Sequence, residues 1–255
     1  MHHNIQLPFL ATPEKGDAII RRYMDFAKFV SLLDEQALFF VRADKLGDSF
    51  EGSHSKANIE IRPQVYRDML KNLGSNSQDV LKDMSAFFKF LPKITAVSCW
   101  HLSEYESDAM WKLYLESSEG IAIQSTYYRL KSSIRDKSLP IHIYKVKYID
   151  YEQDFMPGEF NVGPFFHKRK GFEHEHELRA VIQNWAYERG GEKVLAKPIA
   201  DEGIYVKVDL DLLIDRIYVA PKCPEWFFKL VKSVVRKYKL NKDVLRSSLD
   251  DKPRY

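Results

Sequence analysis

Ile19-Ile20-Arg21-Arg22-Tyr23-Met24 is followed by Asp25, by Phe26, Phe29, Val30 and Leu33 at helical spacing, and then by Ala37-Leu38-Phe39-Phe40-Val41-Arg42-Ala43. The first block reads as a strand, Asp25 is placed to cap the helix behind it, and the second block reads as another strand. A strand, helix, strand opening with arginines inside both strands sets the rest of the reading.

Outward from it, Leu46 to Gly52 carries turn formers around Phe50, which reads as buried, and Pro63 to Leu91 carries helix formers interrupted at Gly74-Ser75-Asn76-Ser77. That middle part is expected to be two helices, inserted at about residues 54–92. Thr95 to Trp100 reads as a strand, Ala109 to Glu116 as a short helix and Gly120 to Gln124 as a strand. Further strands are expected at Ile141 to Tyr148, Glu177 to Asn184, Ile204 to Val208 and Arg216 to Ala220. Helical patterns run from Leu210 to Ile214 and, after Pro224, from Trp226 to Tyr238. With no repeat and no long linker, residues 1–255 read as a single α+β domain: a split, mainly antiparallel sheet with helices on its faces and a cleft between its halves.

The 255 residues are 45% hydrophobic and 13% aromatic, enough for a full core without staples. Cys99 and Cys223 lie far apart and suggest neither a disulfide framework nor a cysteine zinc site, which fits a reducing cytoplasm. Met1 to Ala11 includes His2, His3 and Asn4 but no basic leader with an apolar core, and no stretch approaches the ~18 apolar residues of a spanning helix. A cytoplasmic protein without a membrane anchor is therefore expected; the sequence leaves its oligomeric state open. The charge of +3, from 39 Lys and Arg against 36 Asp and Glu, is too small to argue for nucleic acid by itself.

The densest chemistry is Phe172-Glu173-His174-Glu175-His176-Glu177-Leu178-Arg179. On a strand, alternation puts Glu173, Glu175 and Glu177 on one face and both histidines on the other. One reading is a solvated edge strand, salt-bridged to Lys168, Arg169, Lys170 and Arg179. A second gives Glu177 an oxocarbenium-like transition state to stabilise through a ribose hydroxyl, with Glu175 orienting or deprotonating an acceptor. A third has His174 and His176 chelate a metal with His167 or His101; two histidines without a firm third ligand are a weak signal, and no metal is expected.

Arg21, Arg22, Arg42 and Ser98 each occupy strand positions that should be half buried. Singly they read as surface charges or a satisfied hydroxyl; together they suggest a pocket that binds phosphate through arginine and steadies a ribose through Ser98. Met110-Trp111-Lys112-Leu113-Tyr114 has the spacing of a core stripe, with Trp100, Trp111 and Tyr114 available as a stacking wall. Asp48 and Glu51 read as turn and capping residues.

These pieces resemble the bacterial domain-of-unknown-function family numbered twenty-nine seventy-one. The resemblance rests on Arg22-Tyr23 with Phe29 and Leu33, Leu38 through Leu46, Asp48 through Gly52, Ser98-Cys99-Trp100, Ala109 through Tyr114, Gly120 through Ile123, and Lys168 through Arg179. More distantly, the order of a strand arginine, a later strand serine and a late Glu-x-Glu is similar to the arginine–serine–glutamate layout of mono-ADP-ribosyltransferases. That resemblance implies an ADP-ribosyltransferase-like fold and NAD as substrate. It makes Arg22 the contact for the dinucleotide phosphate or ribose, Ser98 the brace of the nicotinamide-ribose pocket, Glu175 the acceptor-directing carboxylate and Glu177 the catalytic one; Tyr23, Arg42, Trp111 and Tyr114 are expected to join Arg22 and Ser98 in binding the cofactor. Two features depart from the layout: Ser98 is followed by Cys99-Trp100, and the helical insert is long.

The expected activity is ADP-ribosyl transfer from NAD to a protein or nucleic-acid acceptor, or NAD hydrolysis; bacterial toxin and phage-defence settings are what the resemblance implies. Two other classes stay open on the residues: a non-catalytic nucleic-acid or protein-binding module using Lys168-Arg169-Lys170 and Lys229 to Lys239 with exposed aromatics, and a metal-dependent hydrolase or nuclease.

Overall fold

Strand β1 (Ile19–Asp25) runs directly into helix α1 (Phe26–Glu35): Asp25 stays extended and its carboxylate accepts the Lys28 amide at 2.7 Å, satisfying one orphan donor of the first turn. The helix stops at Gln36, whose left-handed φ of 46° turns the chain into β2 (Ala37–Arg42). Phe29, Leu32 and Leu33 form the buried face of α1 against the sheet.

The computed structural model describes residues 8–70, 77–115, 118–157, 161–187, 194–200, 202–253 and 255. After β2 come α2 (Lys56–Leu70), α3 (Ser77–Ile94), β3 (Thr95–Leu102), α4 (Asp108–Tyr114), β4 (Gly120–Thr126) and α5 (Tyr127–Ser133). The chain continues through β5 (His142–Lys145), β6 (Lys147–Ile149), β7 (His167–Arg169), β8 (Glu177–Gln183), β9 (Trp185–Tyr187), β10 (Val194–Ala196) and β11 (Gly203–Lys207). It closes with α6 (Leu210–Leu213), β12 (Arg216–Val219), α7 (Glu225–Lys237) and β13 (Val244–Arg246). The expected α+β class with a mainly antiparallel sheet and helices on its faces is what the chain adopts; within the main sheet, β12 and β13 form the parallel pair.

The sheet forks at β3. Along one edge β3 pairs with β8 from Thr95 to His101, and β8 carries β5 on its far side. Along the other edge it pairs first with β2, through Ala96 and Val97, and then with β1, through His101 and Leu102. Beside Ser98, Cys99 and Trp100 neither strand is in register, so β2 with β11 diverges from β1 with β4, β12 and β13. This is the split expected from the sequence. One face packs Trp100, Phe29, Leu33, Ile123, Ile217 and Val231 into the main core; on the other, Val97 and Val181 join Phe165, Phe166 and Leu91 of α3 in a second cluster.

Several boundaries differ from expectation. The first inserted helix begins at Lys56 and keeps Pro63 inside it; the expected break at Gly74-Ser75-Asn76 and the end of α4 at Glu116 lie outside the described residues. Phe50 is 37% exposed, its ring instead stacking edge-on to Tyr151 with the Arg169 guanidinium 4.5 Å away. The single strand expected from Ile141 to Tyr148 breaks in two: the β8 ladder runs on to Val146, whose amide donates to the Glu177 carbonyl at 2.9 Å, and from Lys147 the chain leaves β8 and β6 pairs in parallel with β7. No helix among the described residues is long and apolar enough to cross a membrane.

Gly203 opens β11 where a Cβ would meet the Phe40 carbonyl oxygen at 2.1 Å, a clash with rigid backbone. Gly203→Ala is expected to lower stability by about 1–3 kcal/mol, read as a lower urea midpoint at unchanged slope. A midpoint equal to the parent would mean that β11 is not held against β2 at this position.

Candidate functional site

The acidic run does not form a strand. Lys170 to Glu175 winds as a 3-10 turn, His176 takes a left-handed φ of 39°, and β8 starts only at Glu177. The alternation expected for Phe172 to Arg179 is therefore wrong: Glu173 and both histidines are exposed, while the kink turns Glu175 and Glu177 inward. Nor is β8 an edge, since β3 and β5 flank it.

The two buried carboxylates share one ammonium. Lys168 Nζ lies 2.9 and 2.8 Å from the Glu175 oxygens and 2.7 Å from Glu177 Oε1. Glu177 Oε2 accepts from Arg179 Nε at 2.5 Å, and Arg179 holds Glu51 with two parallel bonds of 2.7 Å and donates to the Phe165 carbonyl at 2.9 Å. A second pair, Arg169 with Asp48 at 2.6 Å, lies beside this chain.

Burial alone would lower Lys168 and Arg179, but the surrounding carboxylates outweigh it and hold both above their ordinary values. Burial would likewise raise Glu177; the charge of Arg179, its hydrogen bond and Lys168 override this and keep Glu177 well below the usual carboxylate range. Glu175 goes the other way, pushed up to about 7 by burial and then by the neighbouring Glu177, with Lys168 offsetting only part.

Glu177 also faces a cavity of about 420 Å³ at the fork in the sheet. Because the strands splay there, residues from both sheet faces reach it: Trp100 and Arg22 from one, Cys99, His101, Tyr23 and Glu177 from the other. Leu38, Phe39, Met110 and Tyr114 complete much of its apolar wall, with Lys28, Ser31 and Tyr205 also on the lining. The Arg22 guanidinium spans the fork, donating to Ser98 Oγ and, at 2.9 Å, to the Phe39 carbonyl; desolvation pulls its pKa down. The Tyr114 phenol is pushed up by burial and then by Cys99 and Glu177, so it remains a neutral O–H. Cys99 is likewise pushed up by burial, which keeps its thiol protonated.

Of the residues singled out from sequence, Arg21, Arg22, Tyr23, Trp100, His101, Tyr114 and Glu177 thus share one cavity. Ser98, Trp111 and Glu175 stand one layer behind: Ser98 receives Arg22, the Trp111 indole meets the Tyr23 ring edge-on at 4.8 Å, and Glu175 reaches Glu177 through Lys168. Arg42 is not on the lining; it binds Asp44 at 2.6 Å and the Ile199 carbonyl at 3.0 Å. Glu51 lies in the turn expected of it, its amide donating to the Asp48 carbonyl at 3.1 Å, but it is also 8% exposed and committed to Arg179, which the sequence reading did not anticipate. Lys168 emerges as the centre of the cluster rather than an ordinary surface partner.

Of the first basic stretch, Lys168 is buried between two carboxylates and Arg169 is paired with Asp48, while the Lys170 side chain is exposed. Of the proposed metal ligands, His101 and His167 give Nδ1 to the carbonyls of Glu175 and Gly163, and no cluster of three His, Cys, Asp or Glu suited to a metal occurs among the described residues.

No family model matches the sequence, so membership of the domain-of-unknown-function family expected from the quoted segments is not supported, and no curated protein matches either. Among solved structures, the chain is similar to Thermus sp. 2.9 DarT in complex with NAD+, at 8% identity over 95% of this chain and 100% of that one, with a TM-score of 0.42. It is also similar to Thermus sp. 2.9 DarT in complex with ADP-ribosylated ssDNA, at 10% identity, 94% and 97% coverage and a TM-score of 0.40. At these identities and TM-scores no residue's role passes from those chains to this one.

Lys168→Met should leave two buried carboxylates without their shared cation and destabilise the fold by about 3–5 kcal/mol, part of which returns when Glu175→Gln is added. A thermal or urea midpoint unchanged in Lys168→Met would refute the shared-ammonium arrangement. Glu175 also sets a pH dependence. With its folded value raised from 4.5 to about 7, the folded state binds this proton more tightly than the unfolded chain, so stability falls as pH rises between those values. Because burial lowers the pKa values of His54, His101, His142 and His167 and makes them act in the opposite sense, the Glu175 contribution is read as a difference: chemical denaturation should show the parent losing stability relative to Glu175→Gln as the pH rises across that window.

Proposed function

We propose that the cavity at the fork binds NAD and that the protein cleaves its nicotinamide–ribose bond, passing ADP-ribose to a macromolecular acceptor or to water. The observation that carries this reading is the placement of Glu177: a carboxylate held ionised by Lys168 and Arg179, yet lining a largely apolar cavity opposite a desolvated arginine. Breaking a glycosidic bond to a cationic leaving group develops positive charge on the ribose, and a fixed negative charge in a water-poor site answers it without reorganising.

The remaining lining suits the same substrate. A volume of about 420 Å³ lies within the range of small-molecule sites. Trp100, Phe39 and Tyr114 offer planar faces for a nicotinamide, and Arg22 and Lys28 are the cations available to a diphosphate. Ser98 acts by fixing Arg22, and Trp111 by fixing Tyr23.

A second reading is favoured by one surface. Helix α7 exposes Trp226 at 56% beside exposed Lys229, Lys232, Arg236 and Lys237, the combination of stacking face and cations used by single-stranded nucleic-acid binders. On that reading binding is salt-sensitive and indifferent to NAD.

Glu177→Gln separates the readings cleanly, because Lys168 keeps Glu175 and Arg179 keeps Glu51 as partners, so the fold should survive. With labelled NAD, with and without cell extract, nicotinamide release and label transfer are expected to fall by roughly 10²–10³-fold in the variant. Equal turnover in both proteins would remove Glu177 from the chemistry, and parent protein that neither binds nor turns over NAD would leave the α7 surface as the better reading.

A further inference from the structure

The carboxylates described above leave the reaction short of a proton acceptor. Attack of a hydroxyl or N–H nucleophile on the ribose carbon releases a proton. Glu177 is held well below the usual carboxylate range and is a poor base, whereas Glu175 is bound through both oxygens to Lys168 and does not line the cavity. Cys99 and Tyr114, also on the lining, hold their own protons.

His101 is the lining group whose chemistry meets the need. Its Nδ1 lies 2.7 Å from the backbone carbonyl of Glu175. A carbonyl can only accept, so Nδ1 carries the proton and the neutral ring presents Nε2 as a free lone pair. The ring is 3% exposed and sits in the sheet directly between Arg21 on β1 and Glu177 on β8. Tyr23 from β1 and the exposed His176 from the turn flank it, each with ring centres 6.1 Å away. Burial, His176 and Arg21 all disfavour a second proton, which keeps the imidazole neutral before reaction.

We propose that His101 is the general base of the transfer, taking the acceptor's proton on Nε2 while Glu175 fixes its tautomer through a main-chain carbonyl. The inference rests on the NAD-cleaving reading of the same cavity. In the step, the ribose–nicotinamide bond breaks with its electron pair moving to the nicotinamide nitrogen, which becomes neutral. The nucleophile bonds to the ribose carbon, and its proton passes to Nε2, giving an imidazolium that later releases it to water. Glu177 supplies charge and His101 supplies proton affinity, so two groups divide work that a single carboxylate cannot do in this setting. Glu175 thereby becomes a positioning residue through its backbone, which its side chain's commitment to Lys168 helps to hold still.

The test uses the full chain. His101→Asn can still donate to the Glu175 carbonyl through its amide but offers no imidazole. Turnover of labelled NAD should fall roughly 10²–10³-fold in kcat, with KM for NAD changed less than about threefold and the melting temperature close to the parent. Added imidazole should restore part of the turnover in His101→Ala and none in Glu177→Gln. A kcat in His101→Asn equal to the parent's, or a KM that rises while kcat holds, would overturn the base assignment and leave the NAD reading standing. A parent protein without NAD turnover would overturn both. Independently of activity, ¹⁵N spectra of the parent's histidine rings should show His101 as the Nδ1–H tautomer; an Nε2–H tautomer would overturn the proposal even where the variants fail to fold.

Discussion

The Arg22 guanidinium joins three strands at the one place where the sheet does not join itself. Strand β3 is covered along one edge by β8 but along the other by β2 and β1 in turn, and beside Ser98 to Trp100 the ladder lapses. Arg22, on β1, reaches across to Ser98 on β3 and to a main-chain carbonyl of β2. A sheet with such a gap would ordinarily leave polar backbone unpaired in its interior. Here a cation substitutes for part of the missing ladder, and the space it does not fill becomes the cavity. Core, cleft and charge placement all follow from this one departure from regular pairing.

The second constraint is electrostatic. Glu175, Lys168, Glu177, Arg179 and Glu51 form an unbroken chain of buried charges with acids at both ends and the middle. Taking charges out of water is costly, and such a chain persists only when each member has partners of the opposite sign. Its effect is to split two neighbouring carboxylates, one kept ionised and one made easy to protonate, although they are only two residues apart. The left-handed turn at His176 makes this possible, since a regular strand would have set Glu173 on the same face and added a further negative charge.

How much of this was legible in the residues depends on the range of the interaction. The strand, helix, strand opening was readable because its signals are local: Asp25 at the cap, apolar period along α1, β-rich blocks on both sides. Arg22 and Ser98 could be singled out as polar residues in half-buried strands and Glu177 by its place in an acidic run, and the structure brings Arg22 and Ser98 into contact. Three readings fell short, two of them on partners far along the chain. Glu51 and Arg179 are 128 residues apart, so nothing beside Phe50 indicated a buried acid. Arg42 has its partners at Asp44 and Ile199 rather than in the cleft. The alternation of Phe172 to Arg179 suggested a strand, but Lys170 to Glu175 winds as a 3-10 turn between β7 and β8, so alternation begins only at Glu177. His101 was legible only as a possible third metal ligand, since its tautomer is set by a carbonyl 74 residues away.

Arg21, the neighbour of Arg22, has a quieter part. Its guanidinium donates to the carbonyls of Ser103, Glu104 and Tyr105 and to Gln124, fastening the segment that links β3 to α4. That segment connects two elements that line the cavity, and it carries Tyr105, whose side chain is 79% exposed. The backbone beneath this tyrosine has already lost its freedom during folding. Any molecule that stacks on the ring meets a preorganised contact in which only two side-chain torsions remain to be frozen, so recognition there carries a small entropic penalty at association.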